Sequence, residues 1–267
     1  METLNKDMLV KIALEFDLPS ILRFCSSGKR INEKVCKNTD FWYNKLKKDF
    51  TDYQKLNLNK TLKDIYILLY NLTVLKDKLN KDFIRIKESI YDLYNRRELN
   101  LMRYSHLLRD VPKEIENLVN LETLYLSHNK IKYLPKEIWN LFNLKKLYLD
   151  NNKLTEIPKE IQNLVKLKSL SLSGNRLTYL PKEIAKLSNL KVLNLSYNAL
   201  TGFLPGTDLS HFTNLEYLFL ENNRLISLPE ELGDLPKLQE LHFRFNHLNK
   251  LPENITNNKR IEIDRNY

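Results

Sequence analysis

Residues 144–161 read LKKLYLDNNKLTEIPKEI, and residues 167–184 read LKSLSLSGNRLTYLPKEI. The two stretches begin 23 residues apart and align without a gap. Both have apolar residues at the same places, an asparagine at the ninth position and the same Pro-Lys-Glu-Ile ending. A fixed period of this length indicates a repeat architecture, in which each copy is one structural unit that stacks on its neighbours.

Further copies extend this pattern in both directions. The asparagines are 23 residues apart, except for one 25-residue step between Asn198 and Asn223. The proline motif recurs in the same phase, so chance matching is negligible. A degenerate copy over 98–119 opens the series, and a clipped copy at 261–266 closes it. The repeated asparagines are Asn129, Asn152, Asn175, Asn198, Asn223 and Asn246.

The physical chemistry of one copy explains its residue types. In a strand, Leu124 and Leu126 point to one side and Tyr125 to the other. One copy cannot bury its leucines alone, so copies must stack. After the strand the chain turns away from the sheet, and an asparagine has both a donor and an acceptor for the backbone groups left without partners. The proline fixes the extended segment that follows and prevents the sheet from widening there.

The pattern LxxLxLxxNxLxxLPxxI resembles the leucine-rich-repeat family over residues 98–267. The most similar variety is the intracellular 23-residue type with an LPKEI signature, as in Ras-suppressor-like proteins. The resemblance implies a repeat fold of the α+β class: a solenoid of about seven repeats with a parallel sheet on its concave face.

The first 97 residues have no such period and are predicted to be helical. Leu9, Ile12 and Ala13 fall at helical spacing, and the segment 17–20 (DLPS) ends that helix and caps the next. The segment 61–64 (TLKD) reads as a capping box ahead of a long amphipathic stripe. We therefore divide the chain into three parts: a helical domain (1–50), a helical connector or N-terminal cap (51–97), and the solenoid (98–267).

The helical domain, residues 1–50, resembles the F-box. The counterparts of that family's motifs are LNKDML at 4–9, DLPSIL at 17–22, SGKRIN at 27–32 and FW at 41–42. An F-box ahead of leucine-rich repeats is the order found in eukaryotic substrate receptors and in F-box-like families of large DNA viruses. Asn5 stands where the family usually has proline.

This second resemblance implies that the chain is an adaptor. The F-box would dock on the SKP-type adaptor of an SCF-type cullin–RING ubiquitin ligase, and the repeats would hold the target protein. The alternative is a leucine-rich-repeat scaffold or regulator whose helical N-terminus only caps the open end of the solenoid. By the resemblance, the adaptor-binding residues are Leu4, Met8, Leu9, Ile12, Leu18, Ile21 and Leu22.

The sheet face opposite the buried leucines is the predicted target-binding surface. Strand alternation exposes one central column, with flanking columns on each side. Exposed Tyr and Phe in such a column suit protein-contact hot spots, although strands favour aromatic residues in any case. The predicted target-binding residues are Thr123, Tyr125, Ser127, Lys146, Tyr148, Asp150, Ser171, Asn194, Tyr217, Phe219, Glu221, His242 and Arg244.

Several other function classes have no signal in the sequence. No phosphate-binding glycine loop, metal-spaced histidines or nucleophile motif occurs, so we expect no enzyme activity, cofactor or metal. The net charge of +10 is interleaved with acids, whereas nucleic acid requires a one-signed face. No run approaches 18 apolar residues and no secretion signal opens the chain, so we expect no membrane partner and a cytoplasmic location, which is the host cytoplasm if the protein is viral. Cys25 and Cys36 are predicted to be unpaired core residues in a reducing compartment.

Overall fold

The computed structural model describes residues 6–56, 58–81, 86–102, 108–202 and 207–263. Its contacts divide the chain into two compact units. The helical unit is Met1–Asp77 with Lys87–Leu93, and the solenoid unit is Lys78–Ile86 with Tyr94–Tyr267. The three-part division at 50/51 and 97/98 stays a prediction.

The helices account for most of the described chain ahead of the repeats. Their bounds are Lys6–Leu14 (α1), Leu18–Ser26 (α2), Lys29–Ile31 (α3), Thr39–Asp49 (α4), Leu62–Lys81 (α5) and Ile90–Tyr94 (α6), with a π-helical turn at Asn32–Cys36 and a 3-10 turn at Tyr53–Leu56.

Local capping explains where these helices begin. The Asp17 carboxylate accepts a hydrogen bond from the Ser20 backbone N–H at 3.0 Å, which caps α2 as predicted. The Thr61 hydroxyl accepts from the Asp64 backbone N–H at 3.2 Å, and it donates to the Asp64 carboxylate at 2.7 Å. The predicted capping pair at 61–64 is therefore confirmed.

A buried charge lies inside the helical unit. Lys45 is only 3% exposed, and its ammonium contacts the Asp49 carboxylate at 2.8 Å and the Leu14 carbonyl at 2.8 Å. The Tyr66 hydroxyl donates to the same carboxylate at 2.7 Å. Burial, with Asp49 as hydrogen-bond partner, raises the pKa of Tyr66 far above its usual value. Each polar group in this network has a partner, as buried polar groups require.

The two cysteines form a disulfide, which corrects the expectation that they are unpaired. Cys25 lies in the last turn of α2, and Cys36 is the last residue of the π-helical turn. Their Cα atoms are 6.1 Å apart. Both are buried, as expected. The turn at 26–28 folds the chain back, so that two side chains 11 residues apart in sequence meet. Sequence spacing alone does not show this meeting.

The solenoid unit is built on one parallel sheet of eight strands in chain order, which confirms the predicted repeat fold. Adjacent strands pair in register, and the register continues across the 25-residue step because Leu193 lies beside Leu218. The strands are Glu98–Asn100 (β1), Thr123–Tyr125 (β2), Lys146–Tyr148 (β3), Ser169–Ser171 (β4), Val192–Asn194 (β5), Tyr217–Phe219 (β6), Glu240–His242 (β7) and Glu262–Ile263 (β8).

The opposite side of most repeats is formed by a short 3-10 turn that follows a proline, such as Lys136–Asn140 and Lys159–Asn163, whereas the turn Leu209–His211 follows Asp208. A four-residue helix, Glu253–Thr256 (α7), takes that place in the last repeat. Between the two sides lies a core of fully buried leucines, among them Leu147 and Leu149. Each such side chain contributes roughly 1.5–3 kcal/mol by burial.

The asparagines form a hydrogen-bonded ladder through the solenoid. The Asn152 amide nitrogen donates to the carbonyls of Leu126 (2.9 Å) and Leu149 (3.0 Å), and its oxygen accepts from the Ile131 backbone N–H (3.1 Å). Asn175 repeats this arrangement one repeat later. One side chain therefore satisfies backbone groups of two successive repeats, which is the role predicted for it.

The end of α5 belongs to the solenoid unit and covers the edge of its first repeat. The Lys78 ammonium contacts both carboxylate oxygens of Glu114, at 2.7 and 2.8 Å, and Glu114 is 8% exposed. The Asn120 amide donates to the Tyr94 carbonyl at 3.1 Å. An open solenoid end needs such a cover to protect its apolar core from water.

Candidate protein-interaction surfaces

The sheet face presents its central column as a continuous row. Strand register places Tyr125 beside Tyr148, Ser171 beside Asn194, and Phe219 beside His242. Of the thirteen residues predicted to bind the target, Lys146 is exposed, Ser127 and Ser171 are buried, and the other ten are half-buried. Their role in binding stays a prediction.

Two stacked ring pairs mark the ends of this column. Tyr125 and Tyr148 stack with their ring centroids 4.9 Å apart and their planes 8° apart. Phe219 and His242 stack at 4.9 Å and 22°. The Tyr125 pKa is raised, mainly because packing removes water from its hydroxyl. Rings held by each other lose little freedom on binding, which suits them as contact residues.

Asp150, two residues after Tyr148, carries a carboxylate that is held by serines of the two neighbouring repeats. The Asp150 carboxylate accepts hydrogen bonds from the hydroxyls of Ser127, at 2.9 Å, and Ser171. The serines are 2% and 8% exposed, so they orient Asp150 and offer little contact area themselves. At the β7 end of the column, the His242 ring contacts the Glu240 carboxylate at 3.1 Å. The sheet face therefore carries a ring pair towards each end of the column, with the Asp150 carboxylate in the same repeat as Tyr148.

The helical unit divides the predicted adaptor-binding residues into two groups. Leu9, Leu18 and Ile21 are buried, at 5% exposure or less, and serve the core of the unit. Met8, Ile12 and Leu22 are exposed, at 48%, 37% and 42% respectively. Leu4 lies outside the described residues. Met8 and Ile12 are four residues apart on α1 and therefore share one face of that helix.

The family comparison agrees with the repeat geometry. Residues 97–154, 120–177 and 165–225 match the family model described as leucine rich repeat. The repeats are leucine-rich repeats. No curated protein is significantly similar to the chain.

Solved structures with leucine-rich repeats align with more than half of the chain. A leucine-rich-repeat protein of Leptospira interrogans, LIC12759, is 41% identical with a TM-score of 0.55, over 59% of this chain and 40% of its own. The plant peptide hormone receptor RGFR1, in complex with RGF2, is 31% identical with a TM-score of 0.50, over 58% of this chain and 27% of its own. The chain therefore matches less than half the length of each of these proteins.

Two residues on the edge of the leucine-rich repeats were not among the predicted site residues. The residue before each ladder asparagine has a positive φ, which His, Asn and Gly accept at 128, 151, 174 and 222. Tyr197 (φ +56°) and Phe245 (φ +57°) occupy the same place with bulky rings that are 61% and 74% exposed. An aromatic residue in this conformation is strained and gains no burial, and such strain is common at binding sites. An alignment of the repeats by their period shows that only these two of the six positions carry an aromatic ring where the others have His, Asn or Gly.

The described ranges contain neither a metal-binding cluster nor a membrane-spanning helix. Within them, no group of three His, Cys, Asp or Glu side chains is arranged to hold a metal ion. Nor does any helix there have the length and apolar character needed to cross a bilayer.

Proposed function

We propose that this protein is a non-catalytic adaptor of the cytoplasm, a substrate receptor for an SCF-type ubiquitin ligase. The repeats bind a target protein, and the helical unit docks on an SKP-type adaptor. The docking on an SKP-type adaptor is supported by one observation: Met8 and Ile12 form an exposed apolar pair on α1, within the segment that resembles an F-box.

The target side of the proposal rests on the sheet face. Leucine-rich repeats are a protein-interaction fold, and one solved structure with such repeats is the plant peptide hormone receptor RGFR1 in complex with RGF2. In this chain, the stacked pairs Tyr125–Tyr148 and Phe219–His242 offer rigid aromatic contacts, and the Asp150 carboxylate lies in the same repeat as Tyr148. Aromatic side chains are enriched among the residues that dominate interface energies.

The adaptor side of the proposal rests on which side chains the helical unit leaves exposed. Leu9 is 1% exposed, whereas its neighbour Met8 is 48% exposed. A helix that buries one side and leaves Met8 and Ile12 on another has a second apolar contact available. Met adapts its shape to a partner surface, which suits an adaptor contact.

The experiment is a direct binding measurement with a purified SKP-type adaptor by isothermal titration calorimetry. The variant Met8→Ala/Ile12→Ala should weaken adaptor binding by at least tenfold, because central interface anchors commonly cost about 2 kcal/mol or more each. The matched control Val119→Ala/Val165→Ala removes apolar area that is 41% and 52% exposed on the solenoid and should leave adaptor binding unchanged.

A specific observation also favours the alternative, a scaffold with a capping N-terminus. The Lys78–Glu114 contact ties the end of α5 to the first repeat. If the protein is such a scaffold, the parent shows no binding to the adaptor at tens of micromolar. The Met8→Ala/Ile12→Ala variant then gives the same calorimetric result as the parent. Such a result would replace the ligase role with the scaffold role.

A further inference from the structure

The residue after each ladder asparagine forms a second column, on the edge of the solenoid where the chain leaves the sheet. Each residue of this column donates its backbone N–H to a carbonyl of the preceding repeat, at 2.8–3.1 Å. Neighbouring members therefore lie one repeat apart, about 5 Å. Most are basic, and in chain order they are Lys130, Lys153, Arg176, Ala199, Arg224 and His247.

A cavity of about 450 Å3 opens beside the first members of this column. We call it the basic notch. Among the residues that the structure describes, its lining has four cationic side chains, one carboxylate and one tyrosine, with a formal charge of +3. The lining residues are Arg109, Asp110, Lys130, Lys132, Tyr133 and Lys153.

The cations of the notch differ from other lysines of the solenoid in their pairing. Lys145 contacts Glu122 at 2.7 Å, and Lys191 contacts Glu216 at 2.6 Å, each across one repeat. No ion pair to any of the four notch cations occurs among the residues that the structure describes. Like charges on adjacent repeats repel, so an anion bound between them is favoured.

The extent of the cation array identifies the kind of anion. The cations span successive repeats from Arg109 to Arg176, whereas one phosphate group contacts only neighbouring charges. The array is also short, since Ala199 interrupts it on the next repeat. A nucleic acid backbone usually requires a longer one-signed surface. A short segment with several carboxylates fits this length and charge.

We propose that the basic notch binds an acidic segment, rich in Asp and Glu, of the protein that the repeats hold. This inference rests on the proposed function, because it takes the segment to belong to the target protein. The Tyr133 side chain, 63% exposed at the rim, gives the segment a ring to pack against. The target is thereby held at two places, the sheet face and the solenoid edge.

The test uses a fluorescein-labelled peptide of alternating Glu and Ser, measured by fluorescence anisotropy with the whole chain at about 0.1 M salt. The variant Lys130→Glu/Lys153→Glu should bind the peptide at least tenfold more weakly. The control Lys136→Glu/Lys159→Glu changes the same two repeats by the same charge, at exposed positions on the opposite side. The control should stay within about twofold of the parent, since its lysines are not among the residues that line the notch and 0.1 M salt screens charges beyond about 10 Å.

Three results would overturn the proposal. The first is no peptide binding by the parent at about 0.1 M salt. The second is an equal loss in both variants, which would assign the binding to net charge alone. The third is competition by inorganic phosphate beyond that of chloride at equal ionic strength, which would assign the notch to phosphate.

Two checks keep these results interpretable. The neutral variant Lys130→Gln/Lys153→Gln should lose part of the affinity, and the fluorescence of Trp139 reports whether each variant keeps the solenoid folded. The peptide test uses neither the adaptor nor the target. A failure here therefore leaves the Met8/Ile12 measurement, and with it the proposed function, unaffected.

Discussion

The helical unit and the solenoid unit are stabilised in different ways. The solenoid repeats one solution: the contacts of Asn152 recur at Asn175, and the leucine core recurs with them. The helical unit depends on contacts that occur once, namely the Cys25–Cys36 disulfide and the Lys45–Asp49–Tyr66 network. Damage to the solenoid is therefore shared between neighbouring repeats, whereas the helical unit has no second copy of a contact that is lost.

The two tryptophans allow this comparison to be measured, because Trp42 lies in the helical unit and Trp139 in the solenoid unit. In a Trp139→Phe background the fluorescence reports the helical unit, and in a Trp42→Phe background it reports the solenoid. Urea unfolding of each background gives the stability of one unit at a time.

The largest effect is expected from opening the disulfide. The variant Cys25→Ser/Cys36→Ser should lower the free energy of unfolding of the helical unit by about 3 kcal/mol, as estimated for a loop of this length. The Trp42 signal should shift to lower urea, and the Trp139 signal should shift much less. Equal shifts of both signals would contradict the independence of the two units.

Since thiol buffers reduce disulfides in the cytoplasm, thiol labelling of the protein from cells would show whether Cys25 and Cys36 are oxidised or reduced there.

A smaller effect is expected from the asparagine ladder. Asn152→Ala or Asn175→Ala should destabilise the solenoid by about 1–3 kcal/mol, because buried backbone groups lose their partner. Lys159→Ala, on an exposed turn of the same unit, should change little. Identical unfolding midpoints for all three variants and the parent, read from Trp139, would rule out this role of the asparagines.

The smallest effect has the opposite sign. Phe245→Asn places a residue that tolerates positive φ where a bulky ring is strained, and it should stabilise the solenoid by about 1 kcal/mol. Once a target is identified, the same variant should bind it less tightly. The matched change Asn222→Phe should destabilise by a similar amount. A fall in melting temperature for Phe245→Asn would show that the ring supports the fold instead.

The repeat period determined how much could be predicted. Whatever recurs was predictable, including the strands, the ladder asparagines and the central column of the sheet face from Tyr125 to His242. Single contacts between residues distant in sequence were not: the meeting of Cys25 and Cys36 depends on how a turn folds, and the burial of Ser127 beside Asp150 depends on how two repeats stack. The helical spacing in α1 did not separate core from surface, because Met8 and Leu9 are both apolar and only packing distinguishes them.

The 25-residue step between Asn198 and Asn223 shows where the solenoid tolerates added length. The two extra residues leave the pairing of Leu193 with Leu218 in register, so the sheet is unaffected by them. Additions outside the strands cost little, since loop-closure entropy rises slowly with length. The same stretch is therefore a natural place to insert an epitope tag or a fluorescent reporter, and a place where related genes can differ in length while the binding face keeps its spacing.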